Sequence, residues 1–259
     1  MIMSKLKPNF YRLTGLSKTN TYIETGTYYG LNLEEVVEEY KQIYTIEIEK
    51  KWVEYNEEKF EDKNNIQIIE GDSSVKLPEL CSEIEEGVTF FLDAHYSGEG
   101  TGYKEKTSPI IKELESIFYR KNNKDIVIID DSRLFGKVTL EGSDDHPYYK
   151  KAVLDWTLIP LENIKKTIPK DWKILYNHNN SLSFGKVDQL IVCNVSSLNM
   201  IFIKIYQFCV FIVNRTMNLI KTKQTNLRKV IRHYFFYFVK ILLSDKVYKK
   251  IKDFLKRKS

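Results

Sequence analysis

Short apolar runs alternate with longer segments of mixed polarity between residues 21 and 186. Five of the runs are rich in β-branched and aromatic residues, which is typical of strands. They are Tyr22–Glu24, Ile43–Ile48, Ile66–Glu70, Val88–Asp93 and Ile126–Asp130. Several are almost continuously apolar, as strands are when helices cover both faces of a sheet. The alternation therefore predicts an α/β body with a mostly parallel sheet.

Two of the segments between these runs have a helical period. One apolar face consists of Leu33, Val36, Val37 and Tyr40, and another of Ile110, Ile111, Leu114, Ile117 and Phe118. After Asp131 the pattern changes, and residues 172–186 contain two β-prone runs around an Asn-rich turn. This predicts an antiparallel hairpin, which brings the sheet to seven strands.

The composition changes at about residue 187, where we divide the chain into a body, residues 1–186, and an extension, residues 187–259. The extension holds 15 Lys and Arg against 3 Asp and Glu, a net charge of +12. The body holds 25 against 32, a net charge of −7. From Leu227 onward apolar residues recur at helical spacing with lysines between them, which predicts basic amphipathic helices.

The charge of the extension indicates a polyanionic partner, either lipid headgroups or nucleic acid. Phe and Ile dominate its apolar face and the body is acidic, so nucleic acid is the less favoured partner. The cleanest apolar part, Met200–Val213, is shorter than the ~20 residues that a membrane-spanning helix needs. We therefore expect peripheral contact with a membrane interface, with packing on the body or on another subunit as the alternative.

Two further features indicate that the protein is located in the cytoplasm. We therefore expect the membrane contact to be with the inner face of a membrane. The first residues, MIMSKLKPNFYRLTG, lack the apolar core of a signal peptide. The three cysteines, Cys81, Cys193 and Cys209, are far apart and form no metal-type pair. A disulfide framework is not indicated, which fits a reducing compartment.

Gly26 and Gly30 follow the first predicted strand and precede a predicted helix. Glycine there lets the backbone approach a ligand, but the spacing and the lack of a following Lys-Ser/Thr disfavour polyphosphate and dinucleotide motifs. Glu24, at the end of the strand, would repel phosphate and attract an ammonium group. S-adenosylmethionine has such a group, so it fits this loop; the alternative is a simple tight turn.

Two neighbouring strand ends carry groups that suit a nucleoside. Glu47 and Glu49 lie about twenty residues after the glycines, where an acidic side chain can accept both ribose hydroxyls. Alternation puts both glutamates on the same face, so the pattern does not choose between them. Asp72 and Ser73 end the next strand and can bind adenine, although Asp is also a common turn residue.

Acidic side chains end the next two predicted strands. Asp93 is followed by His95, and Asp130 and Asp131 are adjacent. If these strands are neighbours, three carboxylates converge, and they repel one another unless a cation neutralises them. Hard oxygen ligands suit Mg²⁺, Mn²⁺ or Ca²⁺. The alternative is that Asp130 or Asp131 caps a helix or pairs with Arg133.

In this order the segments resemble motifs of class I S-adenosylmethionine-dependent methyltransferases, and among them the divalent-metal-dependent O-methyltransferases of the catechol and macrocin types. The segments are IETGTYYGLN (23–32), YTIEIE (44–49), EGDSS (70–74), FLDAH (91–95) and IIDDS (128–132). The resemblance extends over residues 22–186 and implies a Rossmann-like fold. It implies cofactor binding by Glu24, Gly26, Thr27, Gly30, Glu47, Asp72 and Ser73, and favours Glu47 over Glu49. It also implies a divalent cation, Mg²⁺, held by Asp93, Asp130 and Asp131.

The expected activity is therefore O-methylation of a hydroxylated acceptor such as a sugar or glycan. Asp93 or His95 is placed to take the proton from the acceptor, and histidine exchanges protons readily near neutral pH. The segment HYSGEGTGYKEKTSP (95–109) is longer and richer in glycine than the family leads us to expect. Alternatives are a related small-molecule hydroxylase and a non-catalytic scaffold with the cofactor fold.

Overall fold

The computed structural model describes residues 6, 8–96, 108–141, 151–176 and 188–205 of the 259-residue chain. The strands are Thr21–Thr25 (β1), Gln42–Glu47 (β2), Ile66–Glu70 (β3), Val88–Leu92 (β4), Ile126–Ile129 (β5), Val138–Glu141 (β6), Ala152–Asp155 (β7), Lys173–Tyr176 (β8) and Leu190–Cys193 (β9). The helices are Pro8–Thr14 (α1), Leu31–Val36 (α2), Lys50–Lys59 (α3), Ser73–Glu83 (α4), Ile110–Tyr119 (α5) and Leu161–Thr167 (α6). Within these ranges no helix has both the length and the apolarity that a membrane crossing requires.

Seven strands form one sheet in the order β3-β2-β1-β4-β5-β9-β8. The first five are parallel, whereas β9 runs antiparallel to both β5 and β8. The chain builds outward from β1 to β3 and then returns to place β4 on the other side of β1. The predicted α/β fold, a mostly parallel sheet of seven strands with a terminal antiparallel pair, is confirmed.

Hydrophobic clusters cover both faces of the sheet. One cluster packs α4, α5 and α6 against the sheet and contains Ile23, whereas the other packs α1 and α2 and contains Tyr22. Because side chains alternate along a strand, Glu24 lies on the face of Tyr22 and Thr25 on the face of Ile23. Both residues are fully buried at the carboxyl end of β1.

The terminal antiparallel pair differs from the prediction in its second strand. The prediction used a run within residues 181–186, which lie outside the described residues, whereas β8 pairs with β9 at Leu190–Cys193. All four residues of β9 are buried because the strand is covered on both faces between β5 and β8. The sheet thus continues past the boundary that we predicted at residue 186.

The described part of the extension, residues 188–205, packs against the body. Residues 197–205 are helical, and Val195 and Ile203 are buried in the cluster that contains Tyr22. Residues 206–259 lie outside the described residues. The predicted basic amphipathic helices and their membrane contact therefore stay predictions.

Two other elements differ from the sequence prediction. Helix α2 ends at Val36, although the apolar period continues to Tyr40. The side-chain amide of Asn65 donates to the carbonyls of Val37 and Tyr40, at 2.9 and 3.0 Å, and so stabilises the turn into β2. The antiparallel pair β6 and β7 forms a separate small sheet that the pattern did not predict.

Gly30 precedes α2 and has a φ of +67°. A Cβ atom there would lie 2.1 Å from Oδ1 of Asn56, whose amide nitrogen is fixed by hydrogen bonds to Tyr28 O and Trp52 O. Gly136 has a similar φ of +72°, but its added Cβ would lie 3.5 Å from Pro160, an ordinary contact.

Gly30→Ala should therefore destabilise the fold more than Gly136→Ala. Both substitutions add the strain of a left-handed conformation, about 1–2 kcal/mol, and only Gly30→Ala also forces an overpacked contact, roughly 1–3 kcal/mol more. The free energy of unfolding from urea titration measures both losses. Equal losses for the two variants would contradict the packing at Gly30.

Candidate functional site

The predicted site residues collect at the carboxyl edge of the parallel strands, where the strand order reverses between β1 and β4. Ligands of doubly wound sheets bind at this kind of position. The hydrogen-bond ladder continues past the strand ends, since Asp93 N–H donates to Thr25 O and Asp130 N–H donates to Leu92 O, both at 3.1 Å. The ends of β1, β4 and β5 are therefore held side by side.

The loop between β1 and α2 is held in place from two sides. Glu47, at the end of β2, accepts from Tyr28 N–H at 2.8 Å. On the other side, Nδ2 of Asn56 donates to Tyr28 O and Nζ of Lys59 donates to Tyr29 O, each at 2.6 Å. Thr27 is buried, and its hydroxyl pairs with that of Thr45. The loop has a fixed shape before any ligand is considered.

Gly26 brings this loop against the end of β4. Its φ is +82°, and an added Cβ would lie 2.7 Å from the carbonyl oxygen of Asp93. The close approach that this glycine permits is therefore to the chain itself. Its consequence is that the glycine loop and Asp93 are direct neighbours.

Glu24 lies beneath this loop and is completely buried. Its Oε2 accepts from the hydroxyl of Thr45 at 2.9 Å. Burial raises the pKa of Glu24 to about 8, against the opposing effect of hydrogen bonds from Thr45 and Asn32. At neutral pH the carboxyl group is mostly protonated unless a cation approaches it.

Glu47 and Glu49 have different surroundings, which the sequence pattern did not distinguish. Glu47 is buried, and its oxygens accept from the N–H groups of Tyr28 and Glu49 at 2.8 and 2.9 Å. Burial raises the pKa of Glu47, and these backbone hydrogen bonds oppose the rise. Glu49 is half-buried. Each oxygen of Glu47 retains a lone pair that can accept from a hydroxyl group.

Asp72 and Ser73 begin helix α4. Asp72 is the N-cap, and its carboxylate accepts from Ser74 N–H at 2.8 Å, so the turn role that its residue type also suggested is present. Ser73 is buried, and its hydroxyl lies close enough to Glu113 to lower the pKa of that carboxyl group. The structure places both residues near the carboxyl edge, at the start of the segment that follows β3.

Asp93, His95 and Asp131 form a cluster whose ligand atoms all lie within 4.8 Å of one another. Nδ1 of His95 is 3.5 Å from Oδ1 of Asp93, and its Nε2 is 3.4 Å from Oδ2 of Asp131. The imidazole therefore lies between the two carboxylates. Its ring also contacts Trp156 edge-on, with the centroids 5.3 Å apart.

Asp130, the predicted third carboxylate, is not part of this cluster. Asp130 is buried, and its Oδ1 accepts from Asp131 N–H at 2.9 Å. Asp131 has a left-handed backbone conformation with a φ of 52°, so its side chain does not continue the alternation of the strand. His95, predicted only as a base, takes the third position.

Arg133 contacts the same cluster. Its guanidinium forms ion pairs with Asp131 and with Asp188, so the alternative pairing that the sequence left open is present. The donor set consists of two carboxylates and one imidazole. This set suits Mn²⁺ or Fe²⁺ better than it suits Mg²⁺, which prefers sites made of oxygen ligands alone. Asp93, His95 and Asp131 fit a divalent cation, which would compete with Arg133 for Asp131.

The sequence interpretation missed Glu113. It lies on α5, is completely buried, and lines a small pocket together with Asp93, His95 and Asp130. Burial raises the pKa of Glu113 to about 7, and Ser73 and Thr25 oppose the rise. A signal was available: Glu113 falls between Ile110 and Leu114 on the apolar face of the predicted helix.

A group of aromatic residues beside the loop was also missed. Tyr28, Tyr29, Trp52 and Tyr55 contact one another, with ring centroids 4.3 to 5.9 Å apart. They lie where the glycine loop meets α3. Most of the glycine-rich segment 95–109, namely residues 97–107, lies outside the described residues.

Comparison with known proteins gives similarity to solved structures only, since no family model and no curated protein matches the sequence. The SAH-bound methyltransferase PaMTH1 of Podospora anserina is 16% identical over 68% of this chain and 72% of its own, with a TM-score of 0.44. An S-adenosylmethionine-dependent methyltransferase from Clostridium acetobutylicum is 14% identical over 73% and 89%, with a TM-score of 0.43. The SAM-bound amino pentose methyltransferase CalS10 of Micromonospora echinaspora is 7% identical over 72% and 87%, with a TM-score of 0.42.

These similar structures are methyltransferases by name. At such low identities and TM-scores, they carry no argument about the ligand or the reaction of this chain. The strand order establishes the fold.

The raised pKa of the buried Glu24 carboxyl group makes the free energy of unfolding depend on pH. The pKa of Glu24 in the folded chain is about 8, above its ordinary value of 4.5. Between these values the folded state holds more protons than the unfolded state, so stability is lost as pH rises through this window. The slope is at most about 1.4 kcal/mol per pH unit for each such group.

Glu24→Gln should therefore make the decline in unfolding free energy between pH 5 and pH 8 shallower. Glu57→Gln, which changes an exposed glutamate on α3, serves as the matched control and should leave the slope unchanged. Urea titrations at several pH values measure the slope. An unchanged slope in Glu24→Gln would mean that this carboxyl group is not protonated in the folded chain.

Proposed function

We propose that this protein is an S-adenosylmethionine-dependent methyltransferase that methylates a hydroxyl oxygen of a sugar or glycan, with a divalent cation beside the acceptor. The proposal concerns the carboxyl edge of the sheet, where the residues of the glycine loop and the acidic cluster are neighbours.

The observation that carries the proposal is the pair of buried carboxyl groups at the ends of β1 and β2. Glu24 is completely buried directly under the glycine loop, and hydrogen bonds from Thr45 and Asn32 favour its charged form. An ammonium group is the natural partner for such a carboxyl group, because it neutralises a buried charge. Glu47 lies on the next strand and can accept from two hydroxyl groups, as a ribose presents them. S-adenosylmethionine carries both groups.

The reaction that this arrangement supports is a displacement at the methyl carbon. The acceptor oxygen forms the new bond to carbon, the sulfonium sulfur keeps the electron pair of the broken bond, and the hydroxyl proton goes to a base. His95 lies beside Asp93 and is the residue that we assign as the base. Holding the two reactants in line contributes several kcal/mol to lowering the barrier. A cation held by the carboxylates of Asp93 and Asp131 would lower the proton affinity of the acceptor hydroxyl and would leave the imidazole of His95 to accept the proton.

A sugar or glycan acceptor is supported by the resemblance of the motifs to O-methyltransferases of the macrocin type. The predicted basic helices beyond residue 205 add a second argument, since peripheral contact with an anionic membrane would bring the enzyme to lipid-linked glycans. Acidic residues predominate in the body, with a net charge of −7, which disfavours a nucleic-acid acceptor.

Methyl transfer by the purified protein tests the proposed function. With radiolabelled S-adenosylmethionine and Mn²⁺ or Mg²⁺, we expect label on the oxygen of at least one member of a panel of sugars and lipid-linked glycans. His95→Ala should reduce the rate roughly 100-fold or more, the size of a general-base contribution. Absence of label on every acceptor, with the cofactor shown to bind, would contradict O-methylation.

The metal part of the proposal has its own test. Asp131→Asn should abolish Mn²⁺ binding measured by calorimetry, because the cluster loses one of its two carboxylates. Arg133→Gln should instead strengthen binding, since the ion pair of Arg133 with Asp131 no longer competes. Asp171→Asn, an exposed aspartate away from the cluster, is the control. Equal Mn²⁺ affinity in all four proteins would show that the cluster is not a metal site.

A further inference from the structure

We propose that Asp188 is a positioning residue for the acidic cluster, because it caps the turn after β5 in place of Asp131 and so directs the carboxylate of Asp131 towards His95. The inference rests on the proposed function, since the cluster is the proposed cation site. Asp188 lies two residues before β9, on a part of the chain that the family resemblance does not include.

The pairing of β5 with β9 places Asp188 opposite Asp131. The two strands are antiparallel, and Ile129 pairs with Leu190. The same register, continued by two residues, brings Asp131 and Asp188 to facing positions. The N–H group of Ser132 donates to the backbone oxygen of Asp188 at 2.9 Å, so the two chain segments stay in contact beyond the ends of the strands. A residue from a distant part of the chain therefore lies beside the end of β5.

Asp188 caps the turn that Asp131 begins. Asp131 is the N-cap of a single 3₁₀ turn, but its carboxylate makes no capping hydrogen bond. An aspartate at an N-cap ordinarily accepts from the first N–H groups that follow it. Here Oδ1 of Asp188 accepts instead, from Arg133 N–H at 2.7 Å and from the hydroxyl of Ser132 at 3.1 Å. The carboxylate of Asp131 lies in the cluster, with its Oδ2 3.4 Å from Nε2 of His95.

The backbone of Asp131 is left-handed, with a φ of 52°. A conformation of this kind costs stability in residues other than glycine, and it persists where neighbouring contacts fix it. Asp131 N–H donates to Oδ1 of Asp130 at 2.9 Å, and the two N–H groups that follow both donate to Asp188. Asp188 therefore supplies backbone and side-chain contacts that hold Asp131 in the conformation that the cluster requires.

Arg133 bridges the two aspartates. Carboxylates that face each other across paired strands repel. The guanidinium of Arg133 forms ion pairs with both Asp131 and Asp188, which offsets this repulsion. A cation that took Asp131 as a ligand would displace the guanidinium from it, and Asp188 would remain as the partner of Arg133. Asp188 therefore lets the cluster exchange an arginine for a cation without leaving the arginine unpaired.

Crystal structures of the metal-free variants Asp188→Ala and Asp188→Asn test the inference directly. Alanine removes the accepting oxygens at position 188. The carboxylate of Asp131 should then leave Nε2 of His95, 3.4 Å away in the wild-type protein, and cap its own turn. Asparagine keeps an oxygen that can accept from Arg133 N–H, so Asp131 should stay beside His95. An unmoved Asp131 in the alanine variant would overturn the inference. Asp188→Gly replaces the alanine variant if circular dichroism shows that the latter is unfolded.

Calorimetry with Mn²⁺ measures the consequence for the cluster. The background is Arg133→Gln, in which the guanidinium no longer competes for Asp131. Asp188→Ala should weaken Mn²⁺ binding in this background roughly 10-fold or more, the effect of losing a residue that orients a metal ligand. Asp188→Asn keeps the accepting oxygen and should stay within about 3-fold of its parent. Asp155→Ala is the matched control, because Asp155 likewise accepts from an N–H and a hydroxyl group, both of Thr157.

The outcomes separate this inference from the proposed function. If the wild-type protein binds no Mn²⁺, the metal part of the proposed function fails, and the two crystal structures still decide whether Asp188 positions Asp131. If it binds Mn²⁺ and the alanine variant binds the ion as tightly as its parent, only the role of Asp188 is overturned. Weaker binding in the alanine variant, with recovery in the asparagine variant, supports positioning over a purely structural role.

Discussion

The shape of the site depends on the hydrogen bonds that the carboxyl group of Glu47 accepts. Its two oxygens accept backbone N–H groups from two different loops, Tyr28 after β1 and Glu49 after β2. Charge-assisted hydrogen bonds of this kind are stronger than neutral ones, and burial strengthens them further. The glycine loop is thereby fixed at the end of the sheet, and Gly26 can lie directly against Asp93. The oxygens of Glu47 also retain lone pairs that can accept from a ligand. The same carboxyl group can therefore stabilise the loop and bind the ligand.

The centre of the sheet was predictable because its strands are covered on both faces. The runs Val88–Leu92 and Ile126–Ile129 are nearly continuous in apolar residues and are buried throughout, as strands between two helical layers are. Strand β9 was missed because the sequence interpretation assigned it to the extension. Leu190–Cys193 is apolar and is followed by the polar residues Asn194, Ser196 and Ser197, but it lies beyond the boundary predicted at residue 186. Tertiary pairing with β5 and β8 decides its structure.

The site was predictable to the level of strand ends but not to the level of side-chain direction. Asp93 and Asp131 lie in one cluster, in which His95 takes the position that the sequence predicted for Asp130. That exchange depends on the left-handed conformation of Asp131, with a φ of 52°, which no sequence pattern specifies. Glu113 shows a further limit. Its position on an apolar helical face was visible, yet its neighbours Thr25 and Ser73 come from distant parts of the chain and only the fold brings them together.

We propose that the carboxyl edge of β1, β2 and β4 binds S-adenosylmethionine beside a cation. A crystal structure of the protein with S-adenosylhomocysteine and Mn²⁺ tests this most directly. The account predicts the ribose at Glu47, the ammonium group at Glu24, and an anomalous peak for manganese between Asp93, His95 and Asp131. A nucleoside bound elsewhere, or a structure in which Arg133 retains Asp131 and no anomalous peak lies in the cluster, would contradict it.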